Sequence, residues 1–320
     1  MRIPSSTLGY LRFVLHQETD GILMARKRPA ALPLPIPEVR EVKALLQVLV
    51  GLGVEKVRLA GDDPALREDL GAIVEMVAGI DGVREVAMTT RGLDLAGRLN
   101  TLAKRGLKAV NFDVETLSAA RYEALAGAGQ LKDVQAAIDT SISLGLKVKL
   151  NVVLERGVND DEIVQWVALT RDQPVQVRFI EWNCRTDRIA PPGRFISTRE
   201  TMAAIKAPLI PRESSFLDGP ALVYGIPEHR GTIGFIPNVT EHFCSTCGRI
   251  GLTDSGEILS CIFGRGLNLI KHLRSPGGVT SVAAFVDRVI RRKLLLASKM
   301  GDFPSASVQT QMTHAIQLPG

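Results

Sequence analysis

The sequence predicts an α/β fold, a partial (β/α) barrel or a doubly wound sheet, on two observations. Strand-like and helix-like segments alternate six times between Tyr10 and Glu181. The helical segments carry apolar stripes at helical spacing, which marks them as one-faced layers over a sheet. Strands alternating with helices of this length form parallel βαβ units. In either arrangement ligands sit at the C-terminal ends of the strands. The loops after Leu15, Leu59, Thr89, Val114, Val153 and Glu181 are therefore the ones expected to carry function.

Taken in order, Tyr10 to Leu15 reads as a first strand, and a loop rich in charge and proline runs from His16 to Pro37. Pro37 opens a helix, since proline is tolerated in the first turn, and Leu45, Leu46, Leu49, Val50 and Leu52 form its stripe. Lys56 to Leu59 is a second strand, and Leu66 to Val77 a helix with Leu70, Ile73, Val74 and Val77 on one face. Val83 to Thr89, Ala109 to Val114, Lys147 to Val153 and Val175 to Glu181 complete the strands. The helices between them run from Leu93 to Lys104, Ser118 to Leu125, Leu131 to Leu144 and Asp160 to Thr170. The rhythm then breaks. Thr198 to Lys206 is a short helix, Pro208 to Pro220 a boundary, Ala221 to Tyr224 and Thr232 to Ile236 strands, and Val282 to Lys299 a long helix. The partition expected is a partial (β/α) barrel over residues 1–210 and a cysteine-bearing subdomain over 211–320, packed over the barrel mouth.

Against 34 acidic residues stand 39 basic ones, an excess too small and too dispersed for a nucleic-acid-binding face; it suits a local anion site. No apolar run approaches the ~18 residues of a membrane span, and Met1 to Gly9 has no apolar secretory core. A soluble cytoplasmic protein with no membrane partner is expected. Three of the four cysteines lie together as Cys244-x2-Cys247-x13-Cys261, with a hairpin signal at Asp254-Ser255-Gly256 between the last two. Clustered thiolates select zinc, copper(I) or an iron–sulfur cluster. Structural zinc normally takes four protein ligands, and no fourth cysteine is near, which leaves His242 or an outside ligand for that place. Elsewhere, Cys184 reads as a packed thiol, His16 as a surface residue, and Asp62 and Asp63 as solvated loop acids before they read as a general base or cation ligand.

Several segments, in order, resemble one known family. They are Tyr10-Leu11-Arg12, Lys56-Val57-Arg58-Leu59-Ala60-Gly61-Asp62-Asp63-Pro64, Thr89-Thr90-Arg91-Gly92 and Val110-Asn111-Phe112-Asp113-Val114-Glu115-Thr116-Leu117. Lys149-Leu150-Asn151, Arg156-Gly157-Val158-Asn159-Asp160, Arg178-Phe179-Ile180-Glu181, Gly234-Phe235-Ile236 and the cysteine stretch continue the series. The chain resembles the radical S-adenosylmethionine GTP 3′,8-cyclases (MoaA) of molybdenum-cofactor biosynthesis from about Tyr10 to about Asn268. The resemblance implies a (β/α)6 barrel of radical SAM type with a smaller C-terminal iron–sulfur subdomain. It implies one 4Fe–4S cluster on Cys244, Cys247 and Cys261, with zinc as the alternative, and GTP held by Lys56, Arg58, Lys149, Arg178 and Arg249.

The departures from the family pattern fall mainly on one site. The family's first loop carries C-x3-C-x2-C, the ligands of the cluster that cleaves S-adenosylmethionine; here Thr19, Leu23 and Arg26 stand there, and no cysteine precedes Cys184. Asp62-Asp63 replaces Gly-Glu, Arg91 replaces Asn, and Asp113 replaces Ser. On the nucleotide side the second arginine of the family's C-N-R-x-R is Gly251. The chain ends Gln317-Leu318-Pro319-Gly320 without the family's Gly-Gly. The reading that follows is a cyclase-derived protein that has lost cofactor cleavage, with no catalytic residue assigned. Such a protein would act as a GTP-binding pseudoenzyme, as a homodimer or as the partner of an intact cyclase. A working cyclase with another radical source, and a zinc-stabilised binding protein on the same barrel, are the alternatives.

Overall fold

The computed structural model describes residues 8–15, 38–61, 63–126, 129–182, 193–213, 216–241, 247–261 and 266–299. Thr19, Leu23, Arg26, His16, Asp62, Cys184, His242 and Cys244 lie outside them. The chain divides into two compact units, residues 1–62, 72–86 and 242–320 in the first and residues 63–71 and 87–241 in the second.

In the first unit, β1 (Tyr10–Leu15) pairs in parallel with β2 (Lys56–Gly61) on one side and with β10 (Arg249–Thr253) on the other. Strand β11 (Glu257–Leu259) turns back antiparallel on β10, and β12 (Leu267–Asn268) on β11. The helix α1 (Val39–Gly51) buries Leu45, Leu46 and Leu49, the centre of the expected stripe. Glu38 is its N-cap, and the Glu41 carboxylate accepts the Glu38 N–H at 2.9 Å. It packs against α9 (Gly278–Lys299), which also contacts α8 (Ile270–Leu273). Gly61 ends β2 opposite Leu15 with φ +144°, and a Cβ there would lie 1.9 Å from the Leu15 carbonyl oxygen. Only glycine fits that approach.

In the second unit, β4 (Leu107–Asp113), β5 (Lys147–Val153), β6 (Val175–Ile180) and β9 (Thr232–Ile236) are parallel neighbours in that order. Antiparallel β8 (Leu222–Gly225) and β7 (Ile210–Arg212) follow β9. Strand β3 (Glu85–Thr90) begins in the first unit and ends in the second. The order of strands ends at β12 in the first unit and at β7 in the second, so neither set closes on itself. The helices α4 (Ala119–Ala126), α5 (Leu131–Ser143), α6 (Ile163–Asp172) and α7 (Thr198–Ala204) alternate with these strands as the sequence indicates. Period-two alternation does the sorting: Val110 and Phe112, Val148 and Leu150, Val177 and Phe179 are apolar and buried, while Asn111, Lys149 and Arg178 occupy the opposite face.

Two helices start later than the periodicity predicts. Asp63 instead caps a 3₁₀ turn over Pro64–Leu66, and the Arg98 guanidinium takes the carbonyls of Ala65 and Arg67, so α2 (Leu70–Ala78) begins only at Leu70. Asp94 adopts φ +52°, a conformation its short polar side chain tolerates, so α3 spans only Leu99–Lys104 after a 3₁₀ turn. Strand β7 falls inside the expected boundary Pro208–Pro220; its Pro211 is accommodated because β7 is an edge strand. No helix among the described residues is long and apolar enough to cross a membrane.

Candidate functional site

In the first unit, two ladders of facing residues cross β10, β1 and β2. Tyr10 stands between Arg249 and Lys56, and Arg12 stands between Gly251 and Arg58. Positions two apart on a strand share a face, so Lys56, Arg58, Arg249 and Arg12 lie on one face with Tyr10. Arg12 was not among the expected cations, although its spacing from Tyr10 within a strand places it there. Lys56 is buried and pairs with Glu85 at 2.6 Å, its ammonium 5.2 Å from the Tyr10 ring centre. The Arg58 guanidinium lies 5.3 Å from the same ring, and its Nε is buried with no hydrogen-bond partner among the described residues. A Lys–Glu pair and an arginine stacked on an aromatic ring keep these cations in fixed positions inside the protein.

Cys247 and Cys261 belong to the same unit. Cys247 lies two residues before β10 and Cys261 two residues after β11. The antiparallel hairpin, turned through Asp254 to Gly256 with Gly256 at φ +77°, therefore carries both to its open end. Both are free and half-buried. Burial pushes the Cys247 thiol up, but the charges of Arg249 and Lys293 and hydrogen bonds from Arg249 outweigh it and bring the thiol down to about 7. Lys293 of α9 donates to Cys247 Sγ at 3.7 Å and to the Arg249 carbonyl. Among the described residues no three His, Cys, Asp or Glu side chains are placed to hold a metal; Cys244, the third expected ligand, lies outside them.

In the second unit a polar row crosses the strand ends. The register sets Asp113 opposite Asn151 and Asn151 opposite Arg178. The Asn151 amide donates to the Asp113 carboxylate at 2.6 Å, and Arg178 Nε donates to Asn151 Oδ1 at 2.8 Å. Lys149, on the same face, donates to the Asp218 carbonyl at 3.1 Å and lies 3.5 Å from its carboxylate. Lys149, Asn151 and Arg178 are all buried. Buried polar groups are held only when hydrogen-bonded, and this row is so held through one neutral amide that fixes the arginine. Of the five expected anion-binding cations, Lys149 and Arg178 thus lie in the second unit and Lys56, Arg58 and Arg249 in the first.

The family-like loops have structural work that spacing alone does not reveal. Asn159 donates to the carbonyls of Glu115 at 2.8 Å and Val153 at 2.9 Å and accepts the Glu155 N–H, which ties the ends of β4 and β5 together. Asp63 is not a solvated loop acid: it is buried and accepts from Ala65 N, Thr90 Oγ1 and Arg91 N, with the Arg91 guanidinium 3.7 Å away. A carboxylate so engaged is a fastener and not a base.

Glu115 follows β4, half-buried, its carboxylate accepting the Val153 N–H at 2.8 Å. Burial raises its pKa to about 8, with the charges of Asp113 and Glu155 adding to the rise and the Val153 hydrogen bond opposing it. Between the ordinary carboxylate range and about pH 8 the folded chain keeps a proton that the unfolded chain has lost, so stability falls as pH rises through that window. Glu115→Gln is expected to match the wild type at pH 4 and to exceed it by about 1–2 kcal/mol at pH 9, allowing for partial solvent screening. Urea unfolding at the two pH values checks this, and equal curves at pH 9 would contradict it.

Two family models match the chain in tandem, the Radical SAM superfamily over residues 26–170 and Molybdenum Cofactor Synthesis C over residues 175–295. The GTP 3′,8-cyclase of Pelotomaculum thermopropionicum is 37% identical over 264 residues, 81% of each chain. That of Moorella thermoacetica is 33% identical over 262 residues, again 81% of each. Molybdenum cofactor biosynthesis protein 1 of Mus musculus is 34% identical over 268 residues, 79% of this chain and 40% of the mouse protein. Among solved structures, Streptococcus suis SuiB superposes with a TM-score of 0.56 at 14% identity over 83% of this chain and 64% of its own, a likeness of fold. The chain belongs to the GTP 3′,8-cyclase family and has its radical SAM, barrel-like α/β fold.

Proposed function

We propose that this protein derives from a GTP 3′,8-cyclase, keeps the C-terminal cluster and nucleotide side of that enzyme, and does not cleave S-adenosylmethionine on its own. It would act as a GTP-binding partner or regulator in molybdenum-cofactor synthesis. The observation that carries this reading is the thiol inventory. Iron–sulfur clusters are held by thiolates, and Thr19, Leu23 and Arg26 offer none in the first loop. That donor set does not fit a cofactor-cleaving cluster.

The C-terminal donor set does fit a thiolate-bound group. Cys247 and Cys261 are free thiols at the open end of one hairpin, Cys244 completes the expected set in the sequence, and Arg249 and Lys293 bring positive charge to Cys247. A 4Fe–4S cluster bound there would offer an open iron to the nucleotide. The chain's own contribution would be anion-facing cations: in the first unit Arg58 has a buried Nε with no hydrogen-bond partner among the described residues, and in the second unit, taken by itself, Arg178 is held in place through Asn151. Arginine presents phosphate with a planar fork, and lysine with a point charge. Gly251 removes one such fork beside Arg12, so weaker GTP binding than in an intact cyclase is expected. The division into a barrel over residues 1–210 and a cluster subdomain over 211–320 is part of the same proposal.

Anaerobic reconstitution with iron and sulfide tests it. The expected result is about four irons per chain, loss of that iron in Cys247→Ala, saturable GTP binding by titration calorimetry, and no 5′-deoxyadenosine from S-adenosylmethionine under reductant. About eight irons, or rescue of a cyclase-deficient strain by this protein alone, would overturn it. Zinc in place of iron would instead favour a zinc-stabilised binding protein.

A further inference from the structure

Lys293 occupies an unusual place on α9. Val282, Val286, Val289 and Ile290 are buried in the helix, and Lys293 is the next position of the same stripe, at helical spacing where an aliphatic residue belongs. It is itself 5% exposed. Its ammonium donates to Cys247 Sγ at 3.7 Å and to the Arg249 carbonyl, and it forms no ion pair with a carboxylate among the described residues. Burying an ammonium without a counter-charge costs several kcal/mol. A carbonyl oxygen supplies a dipole but not a charge. The group facing the ammonium that is able to carry the missing negative charge is the thiolate end of the cysteine site.

We propose that Lys293 is the counter-cation of the group bound at Cys247, a positioning residue that fixes the sulfur and favours the more negatively charged, reduced state of that group. This rests on the reading of the cysteine stretch as a cluster site. Hydrogen bonds to the sulfurs and nearby net charge are among the properties that set the potential of such a cluster. The Arg249 carbonyl gives the lysine its second anchor, so the ammonium cannot swing away to solvent. The geometry therefore predicts an effect on redox balance and not merely on packing.

The test uses the full chain, reconstituted anaerobically with iron and sulfide, in wild-type, Lys293→Met and Lys293→Arg forms. Iron and sulfide are counted, and the midpoint potential is read by the electron paramagnetic resonance of the reduced cluster. Lys293→Met is expected to disfavour the reduced state at least tenfold, a fall of about 59 mV for one electron. Lys293→Arg is expected to recover most of that fall. A structural tie alone would lower the melting temperature and leave the potential unmoved. Full iron with an unchanged potential in Lys293→Met, or an equal fall in Lys293→Arg, would overturn the inference while the cluster reading stands. A wild-type chain that takes up no iron and sulfide would bring down the cluster reading and the inference with it. Should Lys293→Met fail to fold, the wild-type chain labelled with 15N-lysine is expected to show a nitrogen coupling to the reduced cluster that Lys293→Arg lacks, and no difference between the two would overturn the proposal.

Discussion

Glu181→Ala is expected to destabilise the protein by about 3–5 kcal/mol, from the loss of four hydrogen bonds to one carboxylate. Glu181 is buried directly after β6, and it accepts from Thr198 N at 2.7 Å, Val239 N at 2.9 Å, Thr240 N at 2.9 Å and Thr240 Oγ1 at 2.6 Å. It thereby holds the start of α7 and the segment after β9. Alanine would orphan the buried N–H of Thr198, whose cost when unsatisfied exceeds the net value of its bond, and would leave the N–H groups of half-buried Val239 and exposed Thr240 to water. Burial pushes the Glu181 pKa up, but the donors of Thr240, Thr198 and Val239 outweigh it, and the net result is a lowered pKa. Its stabilisation is therefore complete above the ordinary carboxylate range and is lost as pH falls through the lowered value. Glu181→Gln should lose part of the stability at pH 7 and show a shallower acid limb. Guanidinium unfolding at pH 7 and pH 4 measures both effects; a loss under about 1 kcal/mol for the alanine variant would remove Glu181 from the clamp.

The triple substitution Thr19→Cys, Leu23→Cys, Arg26→Cys is expected to raise iron from about four to about eight per chain on reconstitution, since thiolates are what a 4Fe–4S cluster lacks in that loop. The positions reproduce the family's C-x3-C-x2-C spacing. The C-terminal site serves as the internal control, because adding Cys247→Ala should return the count to about four. A wild-type chain that already holds about eight irons would show that the first loop ligates a cluster by other means. A triple variant that stays at about four would show that the loop has departed from the family by more than its three ligands.

The parallel strands were legible because each combines a short apolar run with a turn signal. Tyr10–Leu15 and Lys147–Val153 have the boundaries the sequence indicates. Hidden features depended on partners remote in sequence. The pairing of β10 with β1 joins Arg249 to Tyr10, and nothing in Arg249–Thr253 distinguishes a strand from the loop of a metal site. The late start of α2 depends on Arg98, more than a full element downstream. Motif matches singled out Lys149 and Arg178 as candidates but could not reveal Asn151 as the link that orients the arginine, nor that Lys56 is paired with Glu85. Lys293 escaped because a lysine near a helix end reads as a solvated residue until its helical face is known to be buried.

Two of the chain's departures from its family meet in space. Asp63 stands where the family has Glu and Arg91 where it has Asn, and the Asp63 carboxylate receives the Arg91 N–H at 3.0 Å with the guanidinium beside it. The same carboxylate accepts from Thr90 Oγ1 at 2.6 Å and from Ala65 N, so it joins the turn over Pro64–Leu66 to the end of β3. Positions 63, 90 and 91 therefore report to one another through a single carboxylate, and substitutions at any two of them are expected to be non-additive in their effect on stability.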